Sequence, residues 1–287
     1  MVLDYIVWNV NPDIFTISKS FPLIGGLTVR WYGLLFATGF VLGYLILQKV
    51  LKKEGVEQKF LDELFTNMFI FTIVGARLGH VFFYEPHYFL SHPLQILEVW
   101  HGGLASHGAA VGILIGLYIF ARVHHKQYIY VLDRVAIVVP LAGFFIRMGN
   151  LMNSEIFGYP THLPWGFIFV RAQDPALAVG PHHPTQIYEA LGYLIIFFFI
   201  YRYYRKNATH LKPGKLFGFF MVLIFSVRFL VEFLKEPQEV WEQHMLLDMG
   251  QLLSIPLILL GIAVLIWSAK QQPINFLKKA VKKSGAN

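Results

Sequence analysis

The chain has 287 residues, 56% of them hydrophobic, 16% aromatic and only 14% charged, with a mean hydropathy of +0.54. Apolar surface on that scale exceeds what one soluble core buries, so the chain reads as a polytopic membrane protein. It has no cysteine, which excludes disulfides, a zinc-thiolate centre and a cysteine nucleophile of its own. The net charge of +7 is read as topology and not as nucleic-acid binding, because its distribution along the chain follows the hydrophobic runs.

In chain order, the opening MVLDYIVWNVNPDIF carries Asp4 and Asp13, no early Lys or Arg, and a break at Pro12. It lacks a signal peptide's basic start and clean apolar run, and is read as mature sequence at the membrane interface. Apolar runs follow near 31–50, 62–84, 104–122, 133–153, 185–204, 214–234 and 246–269, each long enough to cross a hydrocarbon core of roughly 30 Å. The fold class predicted is therefore all-α, with seven transmembrane helices. Alternate connections hold 17 Lys and Arg on one side (49–60, 122–134, 202–215 and the tail from 270) against 4 on the other. Basic loops stay in the cytoplasm, which places the C-terminus inside and the N-terminus outside. The basic KKAVKK tail reads as a topology anchor drawn to anionic headgroups. The connection 154–184, rich in Pro and His, is predicted to form a small outer cap. With no internal repeat and no low-complexity linker, 1–287 is expected to be one integral membrane domain.

Three arginines, Arg77, Arg147 and Arg228, fall inside these runs, where an unpaired one costs roughly 2.5–3.5 kcal/mol at a helix centre. Arg147 opens RMGNLMNSEIFG, in which Asn150 and Asn153 follow at helical spacing and Glu155 comes just before Gly158 and Pro160 stop the helix. A simple Arg147–Glu155 ion pair would explain part of this. A guanidinium fork and two carboxamides nevertheless offer more donors than one carboxylate needs, which points to a phosphate-bearing lipid. Arg228 and Glu232 stand at i and i+4, spaced either for an intrahelical pair or, with Arg147, for a two-arginine phosphate clamp. Arg77, in GARLGH, supports the same pocket or braces Glu189 or Asp62.

His107 lies in HGGLASHG, where it serves as a general base, as a headgroup hydrogen-bonding group, or merely as a packing residue. Gly102, Gly103 and Gly108 in the same stretch bring backbone amides to a helix start that would suit an anion, while the other glycines at small-xxx-small spacing read as helix contacts. Tyr32 in RWYGLL, and Gln186, Tyr188 and Glu189 in HPTQIYEA, supply polar tips near the membrane surface, the tyrosines being equally suited to an interfacial belt. His101, His182 and His183 share the outer level, but no HExxH or comparable spacing supports a metal.

With those residues in view, the chain resembles the bacterial prolipoprotein diacylglyceryl transferases. The family signature G-R-x-G-N-x-x-N-x-E with a nearby glycine is matched by Arg147, Gly149, Asn150, Asn153, Glu155 and Gly158. RWYGLL, GARLGH, GGLASHG, HPTQIYE and VRFLVEF follow the family's order over nearly the whole length. Ile146 stands where the family has glycine, and Ala109 replaces the second glycine of its usual H-G-G. The resemblance implies transfer of the diacylglyceryl group of phosphatidylglycerol to the lipobox cysteine thiol of prolipoprotein signal peptides, with release of glycerol phosphate. It implies a multi-pass protein of the bacterial inner membrane with its site toward the periplasm. The partners are then membrane lipid and peptide, with no nucleic acid, no cofactor and no metal. Carried over, His107, Arg147, Arg228 and Tyr32 take catalytic roles, and Asn150, Asn153, Glu155, Glu232, Arg77 and Gln186 join the two arginines in holding substrate. Competing readings are a lipid transporter, a non-catalytic lipid-binding protein, and a haem subunit ligated by His80 and His107.

Overall fold

A computed structural model describes residues 5–18, 20–21, 26–98, 103, 105–172, 179–236 and 246–274. The chain is mostly helical, with eight α-helices among the described residues: α1 (Trp31–Lys53), α2 (Gln58–Phe83), α3 (Pro86–Ser91), α4 (Ser106–Val123), α5 (Tyr128–Met152), α6 (Thr185–Asn207), α7 (Lys215–Glu232) and α8 (Met249–Ala269). Five of them, α1, α2, α4, α5 and α8, are long and apolar enough to cross a membrane, with mean hydropathies from 1.3 to 2.5. The protein is thus a multi-pass membrane protein. The other two long helices, α6 and α7, are more heavily charged: α6 carries Glu189 and Arg202 within its apolar run, and α7 carries Lys215, Arg228 and Glu232.

The described fold is not purely helical. Four short strands pair as two ribbons, β1 (Ile6–Trp8) parallel to β4 (Phe167–Phe169) and β2 (Asp13–Thr16) antiparallel to β3 (Thr28–Arg30). The opening segment accordingly holds two short strands, β1 and β2, each paired with a strand later in the chain.

Two compact units emerge, one of Met1–Ile46 with Val135–Ile274, the other of Leu47–Arg134 with Asn275–Asn287. In the first, α6 packs on α7 and α7 on α8. The region 154–184 contributes Phe157, Phe167 and Phe169 to a small apolar cluster with Leu151, and Trp8 and Ile187 pack against it. Trp8 Nε1 donates to the Leu151 carbonyl at 2.9 Å, tying β1 to the end of α5. An Asp248–Gln251 capping box starts α8, with Asp248 N donating to Gln251 Oε1 at 3.1 Å.

In the second unit, α2 and α4 pack at glycine distance. A Cβ built on Gly108 would meet the Gly75 carbonyl and lie 2.7 Å from Gly79 Cα, so backbone touches backbone along this seam. Gly108 therefore has a packing role in this seam. Arg134, counted above as part of a connection, is inside α5 and 1% exposed. Its guanidinium forks onto Glu54 at 2.8 and 3.1 Å, and Tyr130 OH donates to the same carboxylate at 2.8 Å. The KKAVKK tail, His101 and Gly102 lie outside the described residues.

Candidate active site

The first unit gathers most of the candidate residues around the C-terminal end of α5. Glu189, one turn into α6 and fully buried, faces the Arg147 guanidinium, with Nε to Oε2 at 2.5 Å. Arg147 Nη1 donates to Asn150 Oδ1 at 3.1 Å, and Tyr193, one helical turn beyond Glu189, is a further hydrogen-bond partner. Arg147 is therefore clamped from two helices, with its plane fixed before any ligand arrives. The direct Arg147–Glu155 ion pair of the alternative reading is not formed among the described residues, because Asn150 stands between them: its Nδ2 donates to Glu155 Oε1 at 2.7 Å. Asn153 Nδ2 donates to the same oxygen at 3.2 Å. The polar ladder of the sequence is a relay from guanidinium to amide to carboxylate.

Glu155 is presented by a strained turn. Ser154 and Ile156 on either side have φ of 53° and 59°, a left-handed conformation that a β-branched residue adopts only where its surroundings impose it. The start of α6 imposes it here. Gln186 Nε2 donates to the Glu155 carbonyl at 2.7 Å, and Thr185 Oγ1 donates to the Ile156 carbonyl at 2.9 Å. Gln186 is fully buried, and its side chain holds the turn that presents Glu155.

Two glycines of the RMGNLMNSEIFG stretch have steric reasons. A Cβ on Gly149 would lie 2.7 Å from Tyr32 Cδ2, so its absence seats the tyrosine ring of the first turn of α1 against α5. A Cβ on Gly158 would strike the Leu234 carbonyl and come within 2.7 Å of Thr185 Cγ2. Here the chain after α7 runs directly against the chain after α5: Tyr159 N donates to the Leu234 carbonyl at 2.9 Å, and Gly158 and Lys235 form a β-bridge.

That approach brings in a side chain the sequence did not single out. Lys235, 2% exposed, donates from Nζ to Glu232 Oε2 at 3.2 Å and lies 3.8 Å from Glu189 Oε1. Burial pushes its pKa below the ordinary lysine range, while the Glu189 carboxylate works in the opposite direction. The Arg228–Glu232 pair allowed by i,i+4 spacing is not formed; Glu232 is taken by Lys235. Arg228, partly exposed on α7, has no hydrogen bond or ion pair among the described residues.

The second unit holds the remaining candidates. Arg77, 5% exposed, donates to the backbone carbonyls of Ile96 (2.9 Å), Gln95 (2.5 Å) and Gly103 (3.2 Å) and lies 4.8 Å from the centre of the Phe89 ring. It organises the segment after α3, and Glu189 belongs to Arg147. His107 is exposed on the first turn of α4, with no hydrogen-bond partner among the described residues. His80 stacks on Tyr84 with ring centres 5.5 Å apart.

Residues 19–267 match the family model described as prolipoprotein diacylglyceryl transferase. The chain belongs to this family. Among relatives of this diacylglyceryl transferase family, the phosphatidylglycerol–prolipoprotein diacylglyceryl transferase of Tolumonas auensis is 43% identical over 266 residues, spanning 92% of this chain and 98% of its own. Those of Chloroherpeton thalassium (42% over 272 residues) and Porphyromonas gingivalis (44% over 278 residues) cover 94% and 93% of this chain, and 97% and 95% of theirs. In this transferase chain, the signature residues Arg147, Gly149, Asn150, Asn153, Glu155 and Gly158 form one connected structure. Sequence reasoning missed Tyr193 and Lys235 as parts of it. The available signals were Glu189 to Tyr193 at i,i+4 on α6 and Glu232 to Lys235 at i,i+3 at the end of α7.

Proposed function

We propose that the chain transfers the diacylglyceryl group of phosphatidylglycerol to the lipobox cysteine thiol of prolipoproteins, the first step of lipoprotein maturation. The thiol sulfur forms a bond to a glycerol carbon as the bond from that carbon to the phosphate oxygen breaks. The thiol proton is lost and glycerol phosphate departs, so the atoms balance without an added reactant. The observation that carries this reading is the Arg147 guanidinium held rigid by Glu189 and Asn150, together with an Arg228 that has no hydrogen bond or ion pair among the described residues. Fixed cationic forks aimed at a leaving phosphate lower the barrier because they need no reorganisation as charge develops. In this reading Tyr32, Asn150, Asn153 and Glu155 orient the headgroup. Arg147 and Arg228 hold the phosphate, with Glu232, Arg77 and Gln186 supporting substrate binding. His107 takes the thiol proton or orients the thiol, which is only a few per cent ionised at neutral pH with a pKa of about 8.5.

The same proposal places the protein in the bacterial inner membrane as one integral membrane domain. Seven spans cross it, with N-terminus outside, C-terminus cytoplasmic, and the region 154–184 capping the site on the periplasmic side. The bias of 17 basic residues against 4 supports that orientation.

The test is a transfer assay with purified protein, phosphatidylglycerol vesicles and a lipobox peptide, reading peptide mass and glycerol phosphate. Wild type is expected to add a diacylglyceryl mass, and Arg147→Ala, Arg228→Ala and His107→Ala each to lose at least about a hundredfold in rate. Near-normal transfer by any folded arginine variant would remove that arginine from the phosphate site.

A further inference from the structure

An arginine within an apolar helix normally takes a carboxylate one turn away, and for Arg228 on α7 that is Glu232. Instead, Glu232 Oε2 accepts from Lys235 Nζ at 3.2 Å, and Lys235 also faces Glu189 at 3.8 Å. Lys235 reaches this position because the chain leaving α7 is pinned by its backbone to Gly158 and Tyr159, where any side chain on Gly158 would collide with the Leu234 carbonyl. Glu232 is further confined by α8, since a Cβ on Gly250 would overlap its carboxylate. Glu232 is thus held by the Lys235 ammonium and Glu189 by Arg147 and Lys235, and the Arg228 guanidinium has no hydrogen bond or ion pair among the described residues.

We propose that Lys235 is a positioning residue: its ammonium occupies Glu232 and so keeps the Arg228 fork open for an anionic phosphate. The inference rests on the reading above that Arg228 meets the lipid phosphate. It adds that a third cation, which never touches that phosphate, sets whether Arg228 is available. Removing Lys235 leaves Glu232 with one remaining cation on its own helix, and Arg228 swings onto it. Arginine suits this exchange, since its planar fork pairs with carboxylate and phosphate in the same bidentate geometry.

The experiment follows Arg228 directly, by the rate at which phenylglyoxal modifies it in detergent-purified protein, mapped by peptide mass. It needs no turnover, so it stands even if wild type proves inactive in transfer, which would sink the functional reading alone. Lys235→Met is expected to slow Arg228 modification by about tenfold, and adding Glu232→Gln to that variant to restore it. In transfer, Lys235→Met is expected to raise KM for phosphatidylglycerol by about tenfold with a smaller change in kcat, and Lys235→Arg to stay within about threefold of wild type. Loss of one partner from a buried charge group destabilises a fold, so Glu232→Gln alone provides a second arm. It is expected to leave Arg228 modification at the wild-type rate, because that pair is not formed. Faster modification in Glu232→Gln, or an unchanged rate in folded Lys235→Met, would overturn the proposal.

Discussion

Glu189 has no exposed surface and lies 2.5 Å from Arg147, so its charge has no role toward solvent. It fixes the plane of the Arg147 guanidinium, which in the proposed reaction must already be aimed when a lipid headgroup arrives. Glu189→Gln keeps the shape and an acceptor oxygen but removes the charge. Transfer by this variant is expected to fall at least about tenfold in kcat/KM, because a loosened fork no longer presents the same geometry to the leaving phosphate. Steady-state kinetics on the folded variant checks this, and unchanged kinetics would show that Asn150 and Tyr193 hold Arg147 unaided. At this scale the sequence exposed the ladder Arg147, Asn150, Asn153, Glu155, because Arg147 and Asn150 stand one helical turn apart and Asn153 and Glu155 follow directly at the end of α5. It did not expose Lys235 or the Arg147–Glu189 pair. Both depend on segments far apart in the chain meeting in space, and the local i,i+4 rule favoured Arg228 with Glu232, which the fold does not form.

The long helices were legible because each is an apolar run ended by charge or by Gly and Pro; α1, for example, runs from Trp31 into Lys52 and Lys53. The strands were not. Ile6–Trp8 and Phe167–Phe169 have three residues each, too few for an alternating pattern, and each is defined only by its distant partner. Small-xxx-small spacing did identify the seam where α2 meets α4. Gly108 is its tightest point, with Gly79 Cα 2.7 Å from where a Cβ would stand. Gly108→Leu drives a branched side chain between two backbones and is expected to cost about 1–3 kcal/mol or more. A lower unfolding temperature in detergent reads this directly, while Val111→Leu, exposed on the same helix, is expected to leave it within about 1 °C.

Across the whole molecule, a chain without cysteine lets single cysteines report which side each connection faces. An impermeant maleimide is expected to label Leu163→Cys, in the region 154–184, in intact cells with the outer membrane permeabilised. Lys53→Cys and Lys206→Cys are expected to react only once the inner membrane is opened, because both lie in the basic connections. Labelling of all three from one side would refute the alternation and with it the seven-span arrangement. The two helices that fall short of the apolar threshold, α6 and α7, are where that risk lies. Their polar residues make them weak spans on composition, and it is their burial of Glu189 and Glu232 that makes a crossing reasonable.

The hydrogen bond from Trp8 to the Leu151 carbonyl joins positions 143 residues apart, and that separation is also a delay. At a synthesis rate of roughly 5–20 residues per second, β1 waits on the order of ten seconds before its docking point at the end of α5 exists, and longer for β4. Until then its pairing edge is open to any passing strand. The first strand therefore docks only after α5 and β4 have been made, and a nascent chain arrested before residue 150 would present it to protease while one arrested after residue 200 would protect it.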